Sequence, residues 1–283
     1  MAEQLTVAIV ALVEGAPLAA CVETARGQSD RLLVVTRDGT VRNEAGVEVG
    51  RSVATDVPAR RRRAAELAHT TLIGFLEDTV QPAKGWAEAA RVGLAKDGVG
   101  AVGGPVAIDC RLPPASRALA LTEYGRFRAM EPGRTVEALP GCNFAFRCNA
   151  LLAALPDEGL FDDEVFGRLN AAGQCLTWAP GMAVCYRAPH PEGARLATRF
   201  AHGRLYAGHR LARSSVGAKL TGAAKALVLP PILLARSLLE AGAAEYRSPA
   251  TLAHVALQHS AWAAGEFAGA LFGPPPGGVM AWQ

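Results

Sequence analysis

Short apolar runs, each bounded by Gly, Pro or charged residues, recur between Leu5 and Tyr186 and predict a series of buried strands. Thr6–Val13 is the first and Arg31–Thr36 (RLLVVT) the second, with a helical pattern over Ala16–Arg26 between them. Strand, helix, strand at that spacing predicts a βαβ unit and a parallel sheet. Val41–Ala54 is polar and Gly-rich and reads as a loose hairpin. Pro58 then opens the helix PARRRRAAELAH, since Pro suits a first helical turn. Its four arginines, Arg60 to Arg63, cover every side of one turn, so they cannot all face one ligand.

The run Leu72–Leu76 (LIGFL) has the character of a central strand. It stops in Glu77 and Asp78, and Pro82 with Gly85 rules out a simple continuation. A buried strand that delivers two carboxylates to its C-terminal end places them where open α/β sheets keep their ligand crevice. There they suit a divalent cation or the hydroxyls of a sugar or ribose; the plain alternative is an acidic, solvated strand end. Downstream come a helix over Gly85–Leu94, a Gly-rich strand over Gly98–Val106, and a helix within the long excursion Arg111–Glu137. LPGCNFAFRCNALLAALP (Leu139–Pro156) reads as turn, strand and helix. FDDEVFGRLNAAG (Phe161–Gly173) has an acidic start, a helical body and a Gly stop. Two short strands separated by Pro180 and Gly181 follow within Cys175–Pro191.

From Arg195 the pattern changes. Arg195, Arg199, Arg204, Arg210 and Arg213, with His202 and His209, alternate with apolar residues in a basic amphipathic stretch. The apolar run after Lys225 is broken by Pro230 and Pro231 and is too short to span a bilayer comfortably. Thr251–Gly273 is longer but interrupted by His254, Gln258, His259 and Glu266, and Gly265, Gly269 and Gly273 recur every fourth residue, a spacing that permits close helix contact. Two readings stand for this region: a hairpin lying on a membrane face, or two helices packed on the α/β domain.

Composition narrows the function classes. Half of the 283 residues are hydrophobic and only 6% aromatic, so a sizeable core built on small side chains is expected. A formal charge of +3, with no aromatic platforms interleaved among the arginines, argues against a nucleic-acid partner. The six cysteines show no CxxC spacing and read as free thiols in a reducing cytoplasm. Glu3 ahead of the first apolar run marks a strand rather than a signal peptide.

Four segments in this order resemble family 2 glycosyltransferases, inverting enzymes with the nucleotide-sugar-binding GT-A fold. VPARRRRAAELAHTTLIGFLEDTVQPAKGW is similar to the family's helix, strand and metal-site motif. VGGPV is similar to its next strand, LPGCNFAFRCNALL to its acceptor-side turn, and FDDEVFGRLNAAGQCLTWAP to the acidic helix start that carries its catalytic base. The resemblance covers roughly Leu5–Leu211, and the hydrophobic C-terminal region is similar to that of membrane-associated bacterial members. It implies an α/β fold with a mostly parallel central sheet flanked by helices. A catalytic domain over residues 1–211, a helical hydrophobic extension over 212–273 and a disordered tail over 274–283 are then expected.

By the same resemblance Asp163 or Asp162 is the base, with Asp163 slightly preferred and its neighbour left to cap the helix. Asp38, Arg61, Arg62, Glu77 and Asp78 serve the nucleotide donor, while Arg60 and Arg63 face solvent; Gly141 and Asn143 lie on the acceptor side. Glu77, Asp78 and His190 are the metal candidates, for Mg²⁺ or Mn²⁺, although Thr79 stands where the family has its last carboxylate. The implied activity is hexosyltransferase-type transfer from a nucleotide-diphosphate sugar to a lipid, glycan or small-molecule acceptor. A cytoplasmic enzyme, peripheral on the inner face of the cell membrane and serving cell-envelope polysaccharide, fits that picture. The alternative is a catalytically degenerate GT-A domain, favoured by Thr79 and by VVTRDGT in place of the usual acidic run after the second strand.

Overall fold

The apolar runs form strands that lie side by side in one eight-stranded sheet and are buried because helices cover them. The computed structural model describes residues 3–12, 15–36, 46–52, 56–128, 131–188, 194–241 and 248–275. They fall into two compact units, 1–107 with 127–188 and 108–126 with 189–283.

In the first unit the sheet strands are β1 (Leu5–Val10), β2 (Arg31–Thr36), β3 (Glu48–Arg51), β4 (Leu72–Glu77), β6 (Val99–Gly103), β8 (Thr135–Val136), β9 (Asn143–Arg147) and β10 (Cys175–Trp178). Their spatial order is β3-β2-β1-β4-β9-β6-β10-β8. The pairs β2–β3, β1–β2, β1–β4 and β6–β10 are parallel, whereas β9 runs antiparallel between β4 and β6. A three-stranded sheet, β5-β11-β7, is built from β5 (Val80–Pro82), β7 (Val106–Ile108) and β11 (Val184–Tyr186). The flanking helices are α1 (Gly15–Ala25), α2 (Val57–Leu67), α3 (Trp86–Leu94), α5 (Cys148–Ala154) and α6 (Asp162–Ala171).

Strands β1 and β4 are buried at every position, which explains their unbroken apolar runs. Phe75, Phe144 and Phe146 stack across β4 and β9, with the Phe75–Phe144 centroids 5.4 Å apart and Phe144–Phe146 5.1 Å. Gly74 leaves room for the Trp86 indole on β4, since a Cβ there would lie 2.5 Å from it.

Two expectations are corrected and a third is given its bounds. Among the described residues the strand within Val41–Ala54 pairs parallel with β2 rather than with a hairpin neighbour. The run Gly98–Val106 is two strands: the chain leaves the main sheet at Gly104, which passes so close to Met182 that a Cβ would lie 2.4 Å from its carbonyl oxygen. The helix expected inside Arg111–Glu137 is α4 (Pro114–Tyr124), and β8 follows it.

The second unit gathers α4 with α7 (Ala194–Arg210), α8 (Val216–Ala241) and α9 (Pro249–Phe272). It therefore begins upstream of residue 211, because α7 packs along α9 through interlocking glycines. A Cβ at Gly265 would lie 2.0 Å from the Phe200 carbonyl oxygen, one at Gly269 2.3 Å from that of Arg204, and one at Gly203 2.3 Å from that of Trp262. Ala118 and Leu121 of α4 pack on Val255 of α9. A buried polar set crosses the same unit. Arg199 pairs with Glu123 at 3.0 Å and lies over the Trp262 ring at 4.4 Å, and His259 Nε2 is 2.8 Å from Ser237 Oγ.

Candidate active site

Parallel pairing in register aligns the C-terminal ends of the central strands, with Val10 opposite Glu77 and Val35. The antiparallel β9 begins at that same edge, since Leu76 lies opposite Asn143. The turn before it, closed by the Asn143 N–H on the Pro140 carbonyl at 2.9 Å, therefore brings Gly141 beside Glu77. The segment before α6 is tied to the start of α2: the Leu160 N–H donates to the Pro58 carbonyl at 2.9 Å. Gly159, at φ 141°, passes so close that a Cβ would meet the Pro58 backbone at 2.8 Å. These two ties bring the first residue of α6 to the second turn of α2.

Arg61 stands at the centre of the result. Its guanidinium donates through Nη2 to Glu77 Oε1 at 2.9 Å and to the Gly141 carbonyl at 2.6 Å, and through Nη1 to Asp162 Oδ1 at 2.8 Å. It also lies 5.2 Å from the centroid of the Phe144 ring. The Arg61 side chain is 4% exposed, Glu77 9% and Asp162 20%, so a mostly buried carboxylate with one remaining opening to solvent adjoins two buried groups. A buried ion pair of this kind is worth most for the geometry it enforces, because desolvation consumes much of the Coulombic gain. Burial pushes the Asp162 carboxyl above its ordinary range; Arg61 opposes the shift, and the neighbouring negative charges of Asp163 and Glu77 add to it.

The candidates separate clearly. Asp162, Arg61, Glu77 and Gly141 come together. Asp163 is exposed at the next position of α6. The cap of α6 is Phe161 and no side chain caps the helix, so neither aspartate serves that purpose. Asp78 and Thr79 are buried directly after β4. Thr79 Oγ1 reaches Glu77 Oε2 at 3.5 Å, and the Cys21 thiol, pushed up by burial and by Asp78, donates to the Glu77 carbonyl at 3.6 Å. Asp38 and His190 lie outside the described residues.

Three further placements follow, of which that of Arg60 corrects an expectation. Arg62 bonds Glu66 at 3.0 Å and the Pro156 carbonyl at 2.8 Å, which occupies it away from Glu77. Arg60 is buried rather than solvent-facing and donates to the Ala11 carbonyl. Asn143 is fully buried: its amide accepts from the Trp86 indole at 2.7 Å and donates to the carbonyls of Met182 at 2.7 Å and Gly104 at 3.1 Å, so it braces the turn.

Both decisive residues carry a signal in the sequence. Asp162 stands at i to Val165, Phe166 and Leu169, the buried face of α6, and Arg61 stands at i to Ala64, Ala65 and Ala68. Neither relation depends on Arg168, which pairs with Glu164 at 2.5 Å on the surface.

The cation implied by the resemblance meets an incomplete donor set. Among the described residues no three His, Cys, Asp or Glu side chains converge to hold one. Glu77 is engaged by Arg61, and Thr79 contributes a hydroxyl where a carboxylate would bind a hard cation. These residues do not fit a cation site of their own.

No protein-family model and no curated protein matches the sequence. Solved structures do. GalNAc-T7 with UDP, GalNAc and Mn²⁺ superposes with a TM-score of 0.51 at 14% identity, over 66% of this chain and 44% of that one. The mannosyltransferase PcManGT from Pyrobaculum calidifontis, in complex with GDP-Man and Mn²⁺, gives 0.51 at 17% identity, over 76% of this chain and 66% of that one. The chain thus spans under half of the first and slightly under two thirds of the second. With its mostly parallel sheet flanked by helices, the chain has a GT-A-like fold.

Proposed function

We propose that this chain is a glycosyltransferase that moves a hexosyl group from a nucleotide-diphosphate sugar to an acceptor hydroxyl, with inversion and with Asp162 as the base. The observation that carries the reading is Arg61, which joins the carboxylate ending the central strand to the carboxylate opening α6. Open α/β sheets bind ligands at that edge, and both structures of similar fold are described with a nucleotide or nucleotide sugar.

In this mechanism Asp162 takes the proton of the acceptor hydroxyl while its oxygen attacks the anomeric carbon. The bond from that carbon to the diphosphate breaks on the opposite face, and the nucleoside diphosphate leaves. A carboxyl held above its ordinary range is a better base than a solvated aspartate. The fixed guanidinium of Arg61 orients it, since Nη1 holds Oδ1 and leaves Oδ2 for the acceptor. Glu77 and Asp78 receive the donor, and the membrane surface and a lipid, glycan or small-molecule acceptor complete the set of partners. No step is assigned to a cation, because the described residues do not form a site for one.

Thr79 supports a second reading, a GT-A-like domain that binds a nucleotide sugar without turning it over. Calorimetric titration with UDP, GDP and dTDP, each with and without Mn²⁺, separates the two when paired with release of nucleotide from the matching sugar donor. The transferase reading requires that one nucleotide bind and that its sugar be turned over. Binding without turnover against a range of acceptors selects the second reading, and no binding at all overturns both.

A further inference from the structure

Helix α8 leaves most of its apolar side chains uncovered. Val216, Leu220, Leu227, Val228, Ile232 and Leu239 are between 55% and 85% exposed. At about 100° per residue they share an arc of roughly 160° over about 35 Å of helix, the first three near one edge and the last three near the other, with Pro230 and Pro231 in the second half. The other side is occupied: Ala223 and Ala226 are buried, and Ser237 bonds His259 of α9. A contiguous exposed apolar face of this length marks an interaction surface. Lys225 and Arg236 stand along one border of the arc and Lys219 beyond the other, against a single acid, Glu240, which pairs with Arg236 at 2.6 Å.

We propose that this face of α8 docks on the surface of an anionic lipid bilayer, with the helix lying in the plane of the interface. The inference deepens the proposed function, which counts a membrane surface among its partners, while flotation reads the α8 face apart from nucleotide binding or turnover. By length and composition Val216–Glu240 is long and apolar enough to cross a membrane, contrary to the expectation of a run too short to span. A spanning pose, however, would draw Lys225 and Arg236 into the hydrocarbon with only ten uncharged residues, 226–235, between them. They span about 15 Å, half of a hydrocarbon core. The exposed leucines fit the acyl boundary while Lys225 and Arg236 reach back to acidic headgroups along their own aliphatic stems. A second copy of the chain is the poorer occupant, because a two-fold contact would set one basic border against another.

The test is flotation of the full chain with vesicles of phosphatidylcholine, alone or mixed equally with phosphatidylglycerol. Binding to the mixed vesicles is expected, weakening as salt is raised. Leu227→Ser with Leu239→Ser should lower it about tenfold or more, and Lys225→Glu with Arg236→Glu should abolish the preference for the anionic lipid. All four positions are exposed, so an unchanged thermal midpoint confirms that the variants fold. Failure of the wild type to float with either vesicle overturns the proposal. So does vesicle binding that both double variants leave intact, or a self-associated form that Leu227→Ser with Leu239→Ser dissociates in place of any vesicle binding.

Discussion

Asp162 and Asp163 are chemically identical neighbours, and the turn of α6 alone makes one of them part of a site. Asp162→Asn keeps the volume and a hydrogen-bond acceptor for Arg61 but removes the base, so turnover should fall by about 10²–10⁴-fold with nucleotide affinity retained. Asp163→Asn should stay within a few fold of wild type, as measured by initial rates at saturating donor. The raised pKa of Asp162 also fixes a sign: the acid limb of the pH–rate profile should lie above the range of an ordinary carboxylate. Gly141 offers an independent check, because a Cβ there would lie 2.9 Å from Asp162 Oδ2 and 3.0 Å from Arg61 Nη2. Gly141→Ala should force that pair apart and lower kcat more than donor affinity, which single-turnover rates and titration can separate. The acidic pair at the end of β4 was legible because an apolar run that stops in two carboxylates is a one-dimensional pattern. Which two of four consecutive arginines turn inward was harder to see, since Arg60 and Arg61 are buried beside a stripe of small alanines rather than a hydrophobic face.

Elements show the same division. Strands buried on both faces announce themselves as unbroken apolar runs, so β1, β2 and β4 follow directly from LTVAIV, RLLVVT and LIGFLE. The short pieces β3, β5, β7 and β8 do not, because their register depends on partners distant in sequence. The glycine spacing in α9 was visible, and its purpose needed the partner helix. Gly265→Ala places a methyl 2.0 Å from the Phe200 carbonyl, and backbone on both sides leaves no flexible side chain to yield. Overpacking of this kind should destabilise the helical unit by about 1–3 kcal/mol, although Ala is the better helix former. Gly167 in α6 is the control: a Cβ there meets nothing within 4 Å, so Gly167→Ala should stabilise by up to about 1 kcal/mol. Urea midpoints of the two variants should move in opposite directions; a shared direction would mean that the glycines of α9 are not there for close approach.

At the scale of the whole molecule, the two units answer acid differently. In the helical unit His259 is buried, its Nε2 engaged by Ser237 and its Nδ1 without a partner among the described residues. Burial, reinforced by the positive charge of Arg199, pushes its pKa down from 6.5 to about 4. Glu123, the partner of Arg199, does not reverse that effect. The unfolded chain therefore binds a proton that the folded one refuses across this interval, and stability must fall as the pH drops from about 6.5 towards 4. In the α/β unit the signs and windows differ. Asp30, held down chiefly by the Leu5 N–H, and Glu48, held down chiefly by Arg31, contribute stability that is full above the ordinary carboxylate range and is lost only as the pH falls through their lowered values. Asp162, raised by burial, is relieved rather than stressed by acid. Mild acidification between pH 6.5 and 5 should thus act through His259 first. The thermal midpoint of the wild type should drop across that interval more steeply than that of His259→Gln, which keeps a hydrogen-bonding group for Ser237 but cannot be charged. Parallel curves for the two proteins would show that this histidine ionises as readily in the fold as in water, and that the acid response arises elsewhere.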